Sequence, residues 1–271
     1  MKKINSFEEY QSEYKKSVAN PNAFWEEKAS TFLWKKKWDS VLNWDFETPS
    51  IKWFEGGELN ITENCLDRHL ESNGDKTAIL WEPNNPEEAA QHISFRDLHT
   101  RVSQFSNVLK SLGIKKGDRV CLYMPMVPEL SIAVLACARI GAIHSVVFAG
   151  FSAKSLADRI NDASCNLLIT ADGSFRGNKV LDLKSIVDTA LESCPSILNS
   201  IVVERTCSMP PMKMGRDLWW HDLIKNVSPV CSAEAMNSED ELFILYTSGS
   251  TGKPKGVVHS TAGYMVYAEY S

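Results

Sequence analysis

No run of apolar residues in this sequence is long enough to span a bilayer, and Met1-Lys2-Lys3-Ile4-Asn5 leads into polar and charged side chains. We therefore expect neither a signal peptide nor a membrane helix, and a cytoplasmic location. No long block of basic residues appears either. With a formal net charge of −5, a nucleic-acid partner is not expected, although a local basic site for a phosphate remains allowed. No Cys-x-x-Cys pair occurs among the seven cysteines, and their number is odd, which argues against a zinc site or a disulfide framework. Reduced, buried, structural thiols are expected at Cys65, Cys121, Cys137, Cys165, Cys194, Cys207 and Cys231. Internal repeats and low-complexity segments are also missing.

What is present is the composition of a globular protein: 271 residues, 44% hydrophobic and 23% charged, enough to bury a sizeable core. The stretch up to about residue 70 stands apart. It holds Trp25, Trp34, Trp38, Trp44 and Trp53, five of the eight tryptophans, among many charges. Large aromatics spaced this widely are expected to anchor an irregular extension against a neighbouring domain.

From about Ser72 helix and strand patterns alternate. Leu98, Val102, Phe105, Leu109 and Leu112 recur at helical spacing, and Gly113 supplies a stop. Short apolar strands are predicted at 120–124, 144–148, 167–170, 201–203, 242–246 and 256–259. Helices are predicted at 128–140, from Ser152 to about 163, and at 183–191. Strands this short and this apolar, separated by helices, belong inside a parallel sheet covered on both faces. The expected fold class is α/β, with a doubly wound, mainly parallel sheet preceded by the Trp-rich extension. Domain boundaries are expected at 1–70 and 71–271.

One segment carries chemistry. The apolar run 242–246 enters a turn of small hydroxyl and glycine residues (Thr247, Ser248, Gly249, Ser250, Thr251 and Gly252), followed by Lys253, Pro254, Lys255 and Gly256. Glycines let backbone N–H groups approach an anion, hydroxyls add donors, and lysines add charge, so the turn suits a polyphosphate. A Walker loop needs a glycine where Thr247 stands and a hydroxyl where Pro254 stands, and proline also bars an immediate helix. A solvated Gly/Ser turn is the bland alternative; the residue order is more specific than that.

The run Tyr246-Thr-Ser-Gly-Ser-Thr-Gly-Lys-Pro-Lys-Gly256 resembles the signature loop of the adenylate-forming superfamily. Trp53-Phe-Glu-Gly-Gly-Glu-Leu-Asn60 with Asn64-Cys-Leu-Asp-Arg-His69 resembles the N-terminal signature of short-chain acyl-CoA synthetases. Tyr123-Met-Pro-Met-Val-Pro-Glu-Leu130 and the run from Cys137 to Phe148 are similar to the AMP-forming acetyl-CoA synthetase branch. The resemblance extends over nearly the whole chain. It implies an adenylate-forming N-terminal domain, incomplete here, and the substrates ATP, acetate and CoA. ATP would be attacked by acetate to give acetyl-AMP and pyrophosphate, and CoA would then displace AMP. Magnesium is expected with the nucleotide, at ligands that the sequence does not place.

By the same resemblance, residues 247–256 hold the ATP phosphates, and Arg176-Gly177-Asn178-Lys179 grips the phosphate-bearing nucleotide end of CoA. From the residues alone, a solvated Arg/Lys pair is the commoner reading of the latter. Phe148-Ala149-Gly150-Phe151 is similar to a Phe-Gly-Gly-Phe element near the CoA path, with alanine replacing the first glycine. Alanine would be strained there if that position needs a positive φ. His69, His144 and His259 are expected to be satisfied structural histidines, and Asp158, Arg159 and Asp162 a solvated, ion-paired helix face.

The resemblance leaves the acetate pocket, the adenine and ribose contacts, the hinge and a catalytic lysine unplaced. We expect a chain cut short within the helix after the loop, inactive alone and at risk of self-association through uncovered edges. A propionyl-CoA synthetase and a non-catalytic nucleotide- or CoA-binding module remain the alternatives.

Overall fold

The structure is a computed structural model that describes residues 4–177, 179–247 and 254–271. Two compact units divide the chain: residues 69–234 with 242–258, and residues 1–68 with 235–241 and 259–271.

The larger unit is built on a seven-stranded sheet. Its strands are β1 (Arg119–Met124), β2 (Ile143–Phe148), β3 (Leu167–Ala171), β4 (Asn199–Val203), β5 (Asp217–Trp219), β6 (Glu241–Thr247) and β7 (Lys255–Ser260). Their spatial order is β5-β4-β3-β1-β2-β6-β7. Every pair from β5 through to β6 is parallel. β3 is buried at all five positions, and β1 at all but its first, as central strands covered on both faces must be. Helix Phe95–Ser111 packs on helix Pro128–Ile140, and helix Ala153–Asp162 packs on helix Leu183–Leu191. Right-handed crossovers put these two pairs on opposite faces, giving the doubly wound α/β arrangement.

Sequence punctuation accounts for the element ends. Pro128 stands in the first turn of its helix, where a missing N–H costs nothing, and Gly141 closes that helix in the left-handed conformation. Ser152 accepts a hydrogen bond from Ser155 N as an N-cap.

A two-stranded hairpin, Gly173–Arg176 with Lys179–Asp182, was not expected. It interrupts the run between β3 and the helix at Leu183–Leu191. Gly173 and Ser174 are buried but most of its other positions are exposed, and its strands contain no apolar run for a pattern search to catch.

The smaller unit corrects the reading of its tryptophans. Its residues 4–68 are not an irregular extension: they include helices Phe7–Ala19 and Pro21–Ala29 and an antiparallel hairpin, Ser40–Asp45 with Ser50–Glu55. Trp25, Trp34, Trp38 and Trp53 pack on a core of Ala29, Phe32, Val41, Phe54 and Leu59 together with Ala262, Met265 and Val266. They thus build their own unit's interior. Trp34 and Trp38 meet edge to face with centroids 4.7 Å apart, and Trp34 Nε1 donates to Ala29 O at 2.9 Å. Trp44 takes no part and is 61% exposed.

Five of the seven cysteines are buried; Cys65 and Cys207 are exposed, against expectation. Among the described residues no helix is long and apolar enough to cross a membrane.

Candidate functional site

β1 passes by way of helix Pro128–Ile140 to β2 on one side, whereas β3 passes by way of helix Leu183–Leu191 to β4 on the other. The chain therefore departs in opposite directions from the adjacent strands β1 and β3. In open parallel sheets this reversal leaves a crevice beyond the carboxyl ends of the strands, and ligands bind there. A cleft of about 630 Å³ lies at this place. Its walls come from the end of β2 (Phe148) and the segments that follow β1 (Pro125, Met126), β2 (Ala149, Gly150), β3 (Ser174, Phe175, Arg176) and β4 (Arg205), together with Trp81.

Three residues singled out from the sequence, Phe148, Gly150 and Arg176, therefore line one cleft. Lys179 does not line it, yet the hairpin brings it alongside. Arg176 and Lys179 are directly opposed in the antiparallel register, so their side chains project from the same face as neighbours. Gly177 takes φ +58°, a conformation glycine adopts without penalty, and its carbonyl accepts a hydrogen bond from Asn84 Nδ2 at 3.2 Å. Both cations are exposed, and among the described residues neither makes an ion pair. Like charges placed directly opposite each other repel, so this pairing is an arrangement that an anion would relieve. Asn178 lies outside the described residues.

The Phe148–Phe151 turn shows which glycine is needed. Gly150 N donates to Phe148 O at 2.8 Å, and a Cβ on Gly150 would stand 2.5 Å from Phe148 Cε1, so the ring would have to move. Ala149 does not have a positive φ, and the alanine is harmless. Phe148 is 65% exposed and meets Phe151 edge to face at 5.7 Å. From beneath, Tyr123 Oη donates to Phe151 O at 2.7 Å; burial pushes this phenol up to about 12.

The phosphate-loop candidates fall partly outside the described residues: Ser248, Gly249, Ser250, Thr251, Gly252 and Lys253 are not described. Thr247 ends β6, and Lys255 and Gly256 open β7; all three are exposed. Because β6 runs parallel to β2, Thr247 emerges at the same sheet edge as Phe148. Tyr246, just before it, is held in place: its hydroxyl donates to Asp162 Oδ2 at 2.6 Å. Burial, and then that carboxylate, push the phenol far above its ordinary value.

This packing overturns the expected solvated face of helix Ala153–Asp162. Asp158 does pair with Lys154 in solvent, at 3.1 Å. Arg159, however, is buried, with its guanidinium 4.7 Å from the Phe151 ring and 5.4 Å from the Tyr246 ring, and Nη1 donating to Ser155 O at 2.7 Å. The aromatic partners come from other elements, which helical periodicity cannot reveal.

Two further residues were not singled out beforehand. Arg205 lies 5.1 Å from the Trp81 ring and 4.9 Å from the Phe175 ring, and its two Nη atoms donate to Glu88 Oε1 and Oε2 at 3.0 and 2.8 Å. Asp172, fully buried after β3, accepts from Gly173 N, Arg205 N, Thr206 N and Ser208 N at 2.7 to 3.1 Å. Burial raises this carboxyl, but the backbone donors outweigh burial and hold it below the ordinary carboxylate range.

The remaining histidines have local roles. His69 lies against Phe95, and His259 against Tyr264. His144 is structural but not satisfied: it is buried, its Nδ1 has no hydrogen-bond partner among the described residues, and burial lowers its pKa to about 4. Among the described residues no group of three or more His, Cys, Asp or Glu side chains could hold a metal ion, and no magnesium ligand is assigned.

Residues 66–271 match the AMP-binding enzyme family, and residues 10–65 match the acetyl-coenzyme A synthetase N-terminus. The chain is 54% identical over 262 residues to an acetyl-coenzyme A synthetase of Magnetococcus marinus, and 55% identical over 262 residues to acetyl-coenzyme A synthetase 2 of Pseudomonas aeruginosa. Each alignment covers 96% of this chain and 40% of the relative. An acetoacetyl-CoA synthetase structure from Streptomyces lividans superposes with a TM-score of 0.85 at 27% identity, over 93% of this chain and 38% of that one. The chain thus spans about 40% of the length of the curated relatives it matches.

Proposed function

The chain belongs to the AMP-binding enzyme family, and from that premise we propose that it supplies the pyrophosphate loop and the CoA-nucleotide cleft of an AMP-forming acetate–CoA ligase. Oxide is too poor a leaving group for a carboxylate to donate its acyl group directly. In the proposed reaction an acetate oxygen attacks the α-phosphorus of ATP, the bond to the β-phosphate oxygen breaks, and pyrophosphate departs. The CoA thiol then attacks the carbonyl of acetyl-AMP, loses its proton and expels AMP.

Residues 247–256 serve the first step. Negative charge grows on the departing pyrophosphate, where backbone N–H groups, the hydroxyls of Thr247, Ser248, Ser250 and Thr251, and Lys253 and Lys255 stabilise it. Magnesium bound with the nucleotide would share that charge. Arg176 and Lys179 serve the second step by gripping a phosphate of CoA. Phe148 and Gly150 give the nucleotide an aromatic face and room to approach it. The reaction is placed in the cytoplasm, a reducing compartment that suits seven free thiols.

The observation that carries this reading is the opposed Arg176–Lys179 pair, unpaired with any described carboxylate, beside a cleft at the strand-order reversal. Calorimetric titration of the chain with CoA and with 3′-dephospho-CoA tests it. Charge-assisted hydrogen bonds contribute about 1.5–3 kcal/mol, so CoA should bind roughly ten- to a hundredfold more tightly. Arg176→Ala should remove most of that difference, and Lys179→Ala part of it. Equal affinities of the unmodified chain for both ligands would exclude the assignment.

A further inference from the structure

Arg205 is a cation of the cleft that the phosphate-gripping role leaves unused. It cannot easily act as a second anion grip, because both Nη atoms already donate to the Glu88 carboxylate and its charge is offset there. Instead its planar group touches the things that shape the cleft. The Phe175 ring at 4.9 Å belongs to the residue immediately before Arg176 on the hairpin. The Trp81 ring at 5.1 Å belongs to an indole whose Nε1 donates to Met126 O at 2.8 Å, fixing the segment that follows β1. Arg205 thus joins the cleft wall after β1 to the hairpin after β3.

Its own position is fixed from both ends. Asp172 accepts Arg205 N at 2.8 Å, together with Thr206 N and Ser208 N, so the backbone beneath the guanidinium is pinned to the end of β3. Glu88 fixes the far end of the side chain. The segment that contains Glu88 also contains Asn84, whose Nδ2 holds the hairpin tip at Gly177 O. The hairpin is therefore tethered at its tip by Asn84 and along its side by Arg205, and Arg176 stands between the two tethers.

We propose that Arg205 is a positioning residue that sets where Arg176 stands at the lip of the cleft, and so determines how strongly the protein favours CoA carrying its 3′-phosphate. The proposal rests on the CoA reading given above. It requires a guanidinium, because the planar fork supplies the bidentate bond to Glu88 while lying within about 5 Å of both ring centres, whereas an ammonium is a point charge.

The test is a double-variant cycle read by CoA and 3′-dephospho-CoA affinities of the full chain. Arg205→Lys and Arg205→Met should each weaken CoA binding by about tenfold through misplacement of Arg176. Affinity for 3′-dephospho-CoA should stay within about twofold. In an Arg176→Ala background the further loss should vanish. Glu88→Gln, which leaves the ring contacts intact, should give a smaller loss of the same selective kind; it and Arg205→Lys keep the test decisive if Arg205→Met fails to fold.

Full CoA affinity in Arg205→Lys would overturn the proposal, as would an equal loss for both ligands or an undiminished loss in the Arg176→Ala background. Those outcomes leave the cleft assignment standing, provided that Arg176→Ala alone removes the preference for CoA. If the unmodified chain shows no such preference, the underlying reading fails, and this one with it.

Discussion

Replacing Lys184 with methionine should destabilise the larger unit by about 3–5 kcal/mol, the range for removing one partner of a buried ion pair. The Lys184 side chain is fully buried, and so is that of Asp217, which it meets at 2.9 Å. Nζ also pairs with Asp188 at 2.7 Å, one turn along the same helix, and donates to Pro211 O at 3.2 Å. Arg216 completes the group, binding Asp217 at 2.6 Å and also Asp188. Two cations and two anions thus fasten helix Leu183–Leu191 to the edge strand β5. Burial raises the Asp217 carboxyl, but hydrogen bonds from Arg216, Lys184 and Lys213 N outweigh that and hold it below its ordinary value.

Without Lys184, Asp217 must stay charged with less compensation or take up a proton; both are costly. Thermal unfolding should show a fall in midpoint of about 10 °C. The double variant Lys184→Met with Asp217→Asn should recover part of the loss, since the buried charge and its partner then leave together. A single-variant loss below about 1 kcal/mol would place the group with ordinary surface pairs.

Acid should weaken the same unit well before its carboxylates titrate. His144 sits on β2, paired in register with Val120 and with Phe243, and its ring lies 5.4 Å from the Phe243 ring. Burial alone lowers its pKa from 6.5 to about 4. The fold therefore holds the neutral ring, while the unfolded chain takes up a proton near its ordinary value. The sign follows from linkage: the contribution is complete above about pH 6.5, and is lost as pH falls towards 4, because the unfolded state binds more protons across that window. A difference of this size corresponds to about 3 kcal/mol. Urea unfolding at a series of pH values should show the decline. His144→Gln should be less stable at pH 7 but lack the slope between pH 6.5 and 4. An unchanged slope in the variant would assign the acid sensitivity elsewhere. Below that window Asp172 and Asp217 add their own loss, since both carboxyls are held low in the fold.

The parallel sheet was legible because its strands are buried on both faces and so appear as unbroken apolar runs. Val120 to Met124 are buried throughout, and the helices before and after that strand carry their own stops at Gly113 and Gly141. The hairpin that carries Arg176 and Lys179 was not legible by that criterion. The clue that could have found it is the dipeptide Gly177-Asn178 between short polar-apolar runs, a two-residue hairpin signal. Reading Arg176 and Lys179 as neighbours three apart in sequence put two cations together without the geometry that places them there, the opposed register.

Arg159, Arg205 and Asp172 were misread or missed for another reason. Each takes its role from partners on other elements: Phe151 and Tyr246, Trp81 and Phe175, and the segment after β4. A charged residue in sequence looks solvated until the aromatic ring or backbone donor that meets it is in place.

The Trp-rich unit has a temporal consequence. Phe54 and Leu59 share their core with Ala262, Met265 and Val266, residues that are translated only after all seven strands of the parallel sheet. Contacts of such long sequence separation form late, because the intervening chain must be ordered before they are rewarded. A nascent chain on the ribosome therefore carries Trp25, Trp34, Trp38 and Trp53 without the helical residues that complete their core, a sticky surface of the kind chaperones shield. Emergence of Thr261–Tyr270 would release that protection and complete the interior.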